Sequence, residues 1–91
     1  MISKNSTVVA TTHQVSCTVH GEAVILQMKD GVYYSLDAVG ARVWSRLQQP
    51  ASVNELCQLI VSEYEVDLER CEQDLLSLLQ DLEQASLIEV K

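Results

Sequence analysis

The chain has 91 residues, of which 47% are hydrophobic and 21% charged, and its formal net charge at pH 7 is −7. This length allows one domain, and the proportion of apolar residues excludes an intrinsically disordered chain. The acidic charge disfavours nucleic acid as a partner, because phosphate binding needs clustered Lys and Arg, and no stretch approaches the roughly 20 apolar residues of a membrane span.

We expect a single domain over residues 8–91, preceded by a flexible N-terminus at residues 1–7. The polar start of the chain, Met1–Thr12, has no continuous apolar segment of the kind found in secretory signals. We therefore expect a cytoplasmic protein that does not use a membrane as a partner.

The first third of the chain predicts β-strands. Val8–Ala10 and Val15–Val19 are rich in β-branched residues, which favour strands. Ala23–Met28 and Val32–Leu36 flank the segment Lys29-Asp30-Gly31, which is typical of a hairpin connection. Val32–Leu36 is the last of these strands. Without a later partner it would be a sheet edge, with free N–H and C=O groups on one side.

The hairpin register can be predicted from side-chain matching. A three-residue loop pairs Met28 with Val32 and Leu26 with Tyr34, which gives one fully apolar face, whereas a two-residue turn pairs Gln27 with Tyr34. A half-buried sheet requires an apolar face, so we prefer the three-residue loop.

The rest of the chain predicts helices that begin at N-cap residues. Asp37 precedes a helix over Ala38–Gln48. Ser52 and Glu55 have the spacing of a capping box, which opens a second helix ending near Tyr64. A third helix follows, and the chain closes with a short segment of extended character.

The third helix, Leu68–Gln84, is capped by Asp67 and carries two apolar lines. The first line is the predicted core stripe, formed by Leu68, Cys71, Leu75, Leu78 and Leu82. The second line consists of Glu72, Leu76, Leu79 and Glu83. A second line either widens the buried face or borders a groove, and the pattern alone leaves both possibilities open.

Sequence signals for catalysis are weak. The chain has no GxGxxG, P-loop, GxSxG or HExxH motif. His13 and Cys17 are about 13 Å apart along an extended segment, too far for a nucleophile and its base. Cys57 and Cys71 fall on apolar helical stripes and are expected to be buried. We expect a protein that is not an enzyme and has no cofactor or metal; the alternative is a small enzyme that depends on Cys17.

A sheet followed by three helices predicts an α+β fold like a winged helix-turn-helix, with a three-stranded antiparallel sheet packed on three helices. In a DNA-binding protein of that shape the third helix would be basic, but here Arg70 faces six acidic residues on or next to that helix. An open strand beside an acidic, leucine-bearing helix instead suits the binding of an extended peptide as an added strand.

The residues predicted to bind this peptide come from the last strand and the second line of the third helix. They are Val32, Tyr33, Tyr34, Ser35, Leu36, Glu72, Leu76, Leu79 and Glu83. Glu72 and Glu83 would favour Lys or Arg on the peptide, while Leu76 and Leu79 would accept its apolar side chains.

The ordered motifs of residues 21–88 resemble the coenzyme PQQ synthesis protein D family. The resemblance is carried by GEAVILQMKDGVYYSLDAVGARVW, by SVNEL, by EYEVD and by DLLSLLQDLE. Its sharpest parts are Y-x-L-D leading into G-A-R-x-W at residues 34–44, and Y-x-V-D at residues 64–67. Asp37 stands where the family commonly has Asn.

The resemblance implies a recognition domain for ribosomally made natural products, which binds the leader of a precursor peptide along Val32–Leu36 beside Leu68–Gln84. The chain looks most like the stand-alone recognition protein of lasso-peptide clusters. Such proteins deliver the precursor to a separate cysteine-protease-like leader peptidase, after which an ATP-dependent cyclase closes the ring. The alternatives are a peptide chaperone for a radical SAM enzyme, as in PQQ synthesis, and an acidic winged-helix module that binds or regulates another protein.

Overall fold

The computed structural model describes residues 2–91, which form six strands and three helices. In chain order they are β1 (Thr7–Ala10), β2 (Gln14–Val19), β3 (Glu22–Gln27), β4 (Val32–Leu36), α1 (Ala38–Arg46), β5 (Ala51–Ser52), α2 (Val53–Glu63), α3 (Leu68–Gln84) and β6 (Ile88–Val90). The strands form two antiparallel sheets, in the orders β2-β3-β4 and β5-β1-β6. The predicted α+β class is confirmed.

The hairpin β3-β4 is present, but the preferred register is wrong. Gln27 pairs with Val32 and Ile25 with Tyr34, so four residues rather than three connect the strands. A shift of one residue exchanges the two faces of a strand. As a result β3 turns Ala23, Ile25 and Gln27 toward the core, instead of the more apolar set on its other face.

The reason for this reversed face is that the buried Gln27 finds hydrogen-bond partners. Its side chain is 1% exposed, and Nε2 donates to the carbonyl oxygens of Ala85 and Ser86, each at 2.9 Å. Its Oε1 accepts from the backbone N–H of Lys29 at 3.2 Å. A polar side chain can be buried when its groups are paired. Met28, expected in the core, is 61% exposed.

The second sheet combines segments from the start, middle and end of the chain; β1 and β6 fall on segments expected to be extended, whereas β5 was not anticipated. β1 lies at the centre, between β5 and β6. The backbone N–H of Val53 donates to the carbonyl of Ser6 at 3.0 Å, and Ile2 is buried in the core. Ile2 and the carbonyl of Ser6 therefore contact the rest of the domain, while Ser3, Lys4 and Asn5 are exposed; the flexible N-terminus at residues 1–7 stays a prediction.

The three helices begin at their predicted caps. The side chains of Asp37 and Asp67 each accept from the backbone N–H three residues later, at 2.9 and 3.2 Å. Ser52 and Glu55 form the predicted capping box at α2. These bonds satisfy N–H groups that have no partner inside a helix. α1 ends at Arg46, two residues before its predicted end.

The core lies between the helices and the inner faces of both sheets. Trp44 of α1 is buried under β2, where its indole N–H donates to Ser16 Oγ at 3.0 Å. Cys57 and Cys71 are buried, as their positions on apolar stripes predicted. Among residues 2–91, no helix is both long and apolar enough to cross a membrane.

Candidate peptide-binding site

The outer side of β4 is open in the part of the chain that the structure describes. β4 pairs with β3 on one side, at the end of the sheet order β2-β3-β4. The C-terminal strand β6 pairs with β1 and leaves β4 free. An open strand presents backbone donors and acceptors to a further strand. The edge predicted from the sequence is therefore present.

The hydrogen-bond pattern of the sheet shows which backbone groups of β4 face outward. Met28 N–H donates to the carbonyl of His13 at 2.8 Å, so the even-numbered residues of β3 bond to β2 and the odd-numbered ones face β4. Each of these odd-numbered residues pairs with an even-numbered residue of β4. The N–H and C=O groups of Tyr33 and Ser35 therefore point away from the sheet, toward the open edge.

A cavity of about 660 Å³ lies beside the C-terminal end of β4, between the three helices. Its apolar wall is formed by Leu36, Val39, Val43, Ile60, Val66, Leu75 and Leu78. Gly40 also lines it. The absence of a side chain at this position lets α1 pack closely against the end of β4, since a Cβ on residue 40 would lie only 3.1 Å from Leu36 Cβ. A strand added to β4 would direct alternate side chains into this space.

Charged groups border the cavity, while its buried thiol is neutral. Asp37, Arg70 and Asp74 lie around the opening, and Arg70 Nε is 3.6 Å from the Asp74 carboxylate. Cys71 is a lining residue, and its burial raises the pKa of the thiol. Burial also raises the pKa of the adjacent Cys57, to about 11. The cavity therefore offers apolar surface inside and charge at its border.

Of the predicted site residues on β4, Ser35 and Leu36 line the cavity. Tyr33 is 68% exposed and lies on the outer face of the sheet, opposite the helices. Tyr34 packs against the core from the inner face, and Val32 is exposed near the hairpin loop. All five belong to the open strand, but only its C-terminal part adjoins the cavity.

The predicted residues on the second line of α3 do not line this cavity. Leu79 is fully buried, which contradicts its expected place along a groove, and Leu76 packs against the core. The Glu72 carboxylate lies 3.7 Å from Lys4 Nζ, and Glu83 is half-buried on the same line. The physical reason is that the N-terminal segment and the second sheet cover this side of α3.

The apolar α3 residues that line the cavity come instead from the line assigned to the core. Leu75 and Leu78 lie in the apolar wall, and Arg70 and Asp74 at its border. Helical periodicity shows that these residues share a side of the helix, but not which element faces that side. A partial signal was available, since one helix with two apolar lines must have different neighbours on each.

Comparison with known proteins gives consistent results. The sequence profile of coenzyme PQQ synthesis protein D matches residues 22–88. The solved structure "TbiB1 in complex with the TbiA(beta) leader peptide" is 36% identical, with a TM-score of 0.84 over 89% of this chain and 94% of that chain. "Lasso peptide synthetase B1 complexed with the leader peptide" is 23% identical and shares the fold, with a TM-score of 0.80 over 90% and 96%. No curated protein sequence matches significantly.

Proposed function

Because the chain belongs to the coenzyme PQQ synthesis protein D family, we propose that it recognises the leader segment of a ribosomally made precursor peptide in lasso-peptide biosynthesis. The observation that carries this proposal is the open edge of β4 beside an apolar cavity. The leader-peptide complex of the 36%-identical structure supports it.

In the proposed complex the leader adds a strand to β4. The outward N–H and C=O groups of Tyr33 and Ser35 would pair with its backbone, which supplies affinity without selecting a sequence. Selection would come from alternate side chains of the leader, which enter the cavity between β4 and α3. Its wall is aliphatic, so a bulky apolar side chain is the ligand that it fits.

The border of the cavity adds a preference for charge. Asp37 and Asp74 lie at the opening, and Arg70 is paired with Asp74. Residues 37–91 carry eleven acidic side chains against four basic ones, a net charge of −7. A leader with Lys or Arg beside its apolar anchor would be attracted, and an acidic leader repelled.

We further propose that this protein binds and delivers its peptide without reacting with it. Two of the three cysteines, Cys57 and Cys71, are buried, and their raised pKa values keep the thiols protonated, whereas a cysteine nucleophile needs a lowered pKa. Cys17, on which the alternative enzyme depends, is exposed on β2, at the opposite end of the sheet from β4. Chemistry would then be performed by separate proteins. By the family resemblance these are a cysteine-protease-like leader peptidase and an ATP-dependent lasso cyclase.

The test is a proline substitution at the open edge. Ser35→Pro removes an outward N–H that has no partner within residues 2–91, so a folded variant is expected. The ligand is the fluorescently labelled N-terminal half of a precursor peptide whose gene we expect to lie beside that of this chain. The anisotropy of this peptide should rise when wild-type protein is added, and we expect no such rise with Ser35→Pro.

Thr18→Pro is the matched control, because it places the same ring on the opposite edge of the same sheet. It should bind with unchanged affinity. Circular dichroism of both variants establishes that they are folded. Equal leader affinity for folded Ser35→Pro and the wild type would refute binding along β4.

A further inference from the structure

The second open edge of the sheet, β2, is not used by the proposed function. Among residues 2–91, β2 pairs with β3 alone. Because Met28 N–H donates to the carbonyl of His13, the odd-numbered residues of this segment bond to β3. The backbone groups of Gln14, Ser16 and Thr18 therefore face outward along the full length of the strand.

This edge lacks the features that usually prevent strands from pairing. The strand, QVSCTV, contains no charged residue, no proline and no glycine. Natural edge strands carry charge, proline or a bulge, or are covered by another segment. Val15 is 55% exposed, and its outer face continues into Val24 and Leu26 of β3. β2 therefore presents a regular, uncharged edge beside an exposed apolar surface.

We propose that β2 pairs antiparallel with β2 of a second copy of this chain, around a two-fold axis at Ser16. Only pairs between residues with outward backbone groups can bond, so Ser16 meets its equivalent and Gln14 meets Thr18. Val15 then lies opposite Cys17. In this register the inner face joins polar side chains and the outer face joins apolar ones, which makes the edge complementary to itself.

The charge distribution also favours a second copy at this place. Residues 1–36 contain two acidic and two basic side chains, so their net charge is zero, whereas residues 37–91 carry −7. Pairing through β2 joins the neutral segments of the two copies and leaves the acidic α3 beside β4, away from the new contact. The sheet would have the order β4-β3-β2-β2-β3-β4, with both β4 edges free. A dimer of this kind can hold two leader peptides.

A single strand pair buries a small area, so the dimer is expected to be weak, with a dissociation constant above about 1 μM. Sedimentation equilibrium of the full chain up to about 1 mM covers the range expected for such weak contacts. We expect the mass to rise from 10.1 kDa toward twice that value. A mass of 10.1 kDa throughout the range would overturn the proposal.

Two variants separate pairing at the edge from association through the apolar face. Thr18→Pro removes an outward N–H and leaves the bond from Trp44 to Ser16 intact, so it should remain monomeric. Val24→Thr makes the outer face more polar without changing the β2 edge, and should dimerise like the wild type. A dimer that persists in Thr18→Pro and is lost in Val24→Thr would contradict edge pairing.

A disulfide can report the register. In a Val15→Cys variant, the new thiol would lie opposite Cys17 of the second copy, at the Cα separation of about 4.5 Å that a disulfide accepts. Glutathione disulfide is the oxidant, and each cross-link reduces one molecule of it to two of glutathione. Met28→Cys places an exposed thiol in the hairpin loop, where it does not lie opposite Cys17 in this register, and should give at least tenfold less covalent dimer. Equal yields would overturn the register.

These experiments and the leader-binding test fail independently. Ser35→Pro should lose leader binding and still dimerise, whereas Thr18→Pro should lose dimerisation and still bind leader. Each variant is thus the control for the other proposal.

Discussion

Replacing Gln27 with Met tests why β3 exposes its more apolar face. The amide of Gln27 makes three hydrogen bonds, two to carbonyl oxygens after α3 and one to the backbone at the hairpin loop. At about 1 kcal/mol each, they contribute on the order of 3 kcal/mol to the free energy of unfolding. Methionine keeps the length of the side chain and removes all three bonds.

Two further effects modify this magnitude. The carbonyl of Ser86 retains the hydroxyl of Thr11 as a partner at 2.9 Å, so of the two carbonyls only that of Ala85 is left without a side-chain donor, and the N–H of the exposed Lys29 can bond to water instead. The end of the methionine side chain adds about one buried methylene equivalent, worth roughly 0.8 kcal/mol. We therefore expect Gln27→Met to lower the free energy of unfolding by about 2 kcal/mol, or Tm by roughly 8–16 °C for a domain of this size.

Urea denaturation followed by far-UV circular dichroism and Trp44 fluorescence provides the measurement. Met28→Gln is the matched control, because it changes the neighbouring residue on the exposed face and should cost less than about 0.5 kcal/mol. Equal stabilities of Gln27→Met and the wild type would show that the buried amide does not determine which face of β3 lies inward.

Three further predictions follow from the helices. Leu78→Ser should weaken leader binding about tenfold, because Leu78 lines the cavity. Leu76→Ser should leave the affinity measured by anisotropy unchanged. A larger loss of affinity with Leu76→Ser than with Leu78→Ser would instead favour a site on the second line of α3. Asp67→Ala should lower the free energy of unfolding, measured by urea denaturation, by about 1 kcal/mol, and Asp67→Asn should lower it much less. Equal stabilities of Asp67→Ala and the wild type would show that the cap bond contributes nothing. The folded state holds the Cys57 proton more tightly than the unfolded state. The contribution of this thiol to the free energy of unfolding is therefore fully present below about pH 9 and is lost as pH rises toward 11. Urea midpoints should follow this course, and Cys57→Val should flatten it; identical pH profiles would refute the effect.

Local signals predicted the helices and strands well. Asp37, the pair Ser52 and Glu55, and Asp67 each cap a helix where the sequence placed one. A cap depends on residues a few positions apart, so it can be read without knowledge of the fold. The open edge of β4 was also predictable, because the hairpin precedes helices and no strong later strand pattern competes for it.

Features that depend on distant partners were not predictable. Gln27 is buried because carbonyl groups 58 and 59 residues later accept from it. The apolar and polar pattern of the hairpin alone does not reveal these distant hydrogen-bond partners. The same limit applies to α3, where Leu79 and Leu78 differ by one position but lie in the core and at the cavity respectively. Which side faces the site was decided by the second sheet, built from segments at both ends of the chain.

The two open edges of one sheet differ in what surrounds them, and this difference separates their proposed partners. Beside β4 lie a cavity and charged groups, so the side chains of a bound strand would contribute to its affinity as well as its backbone. Beside β2 lies a smaller pocket of about 230 Å³ that is lined by sheet residues alone, and the pattern of the strand is complementary to itself. A leader peptide could add to either edge through its backbone, but only at β4 would its apolar and basic residues contribute. Selectivity for the leader therefore requires the helices, whereas pairing between copies requires only the strand.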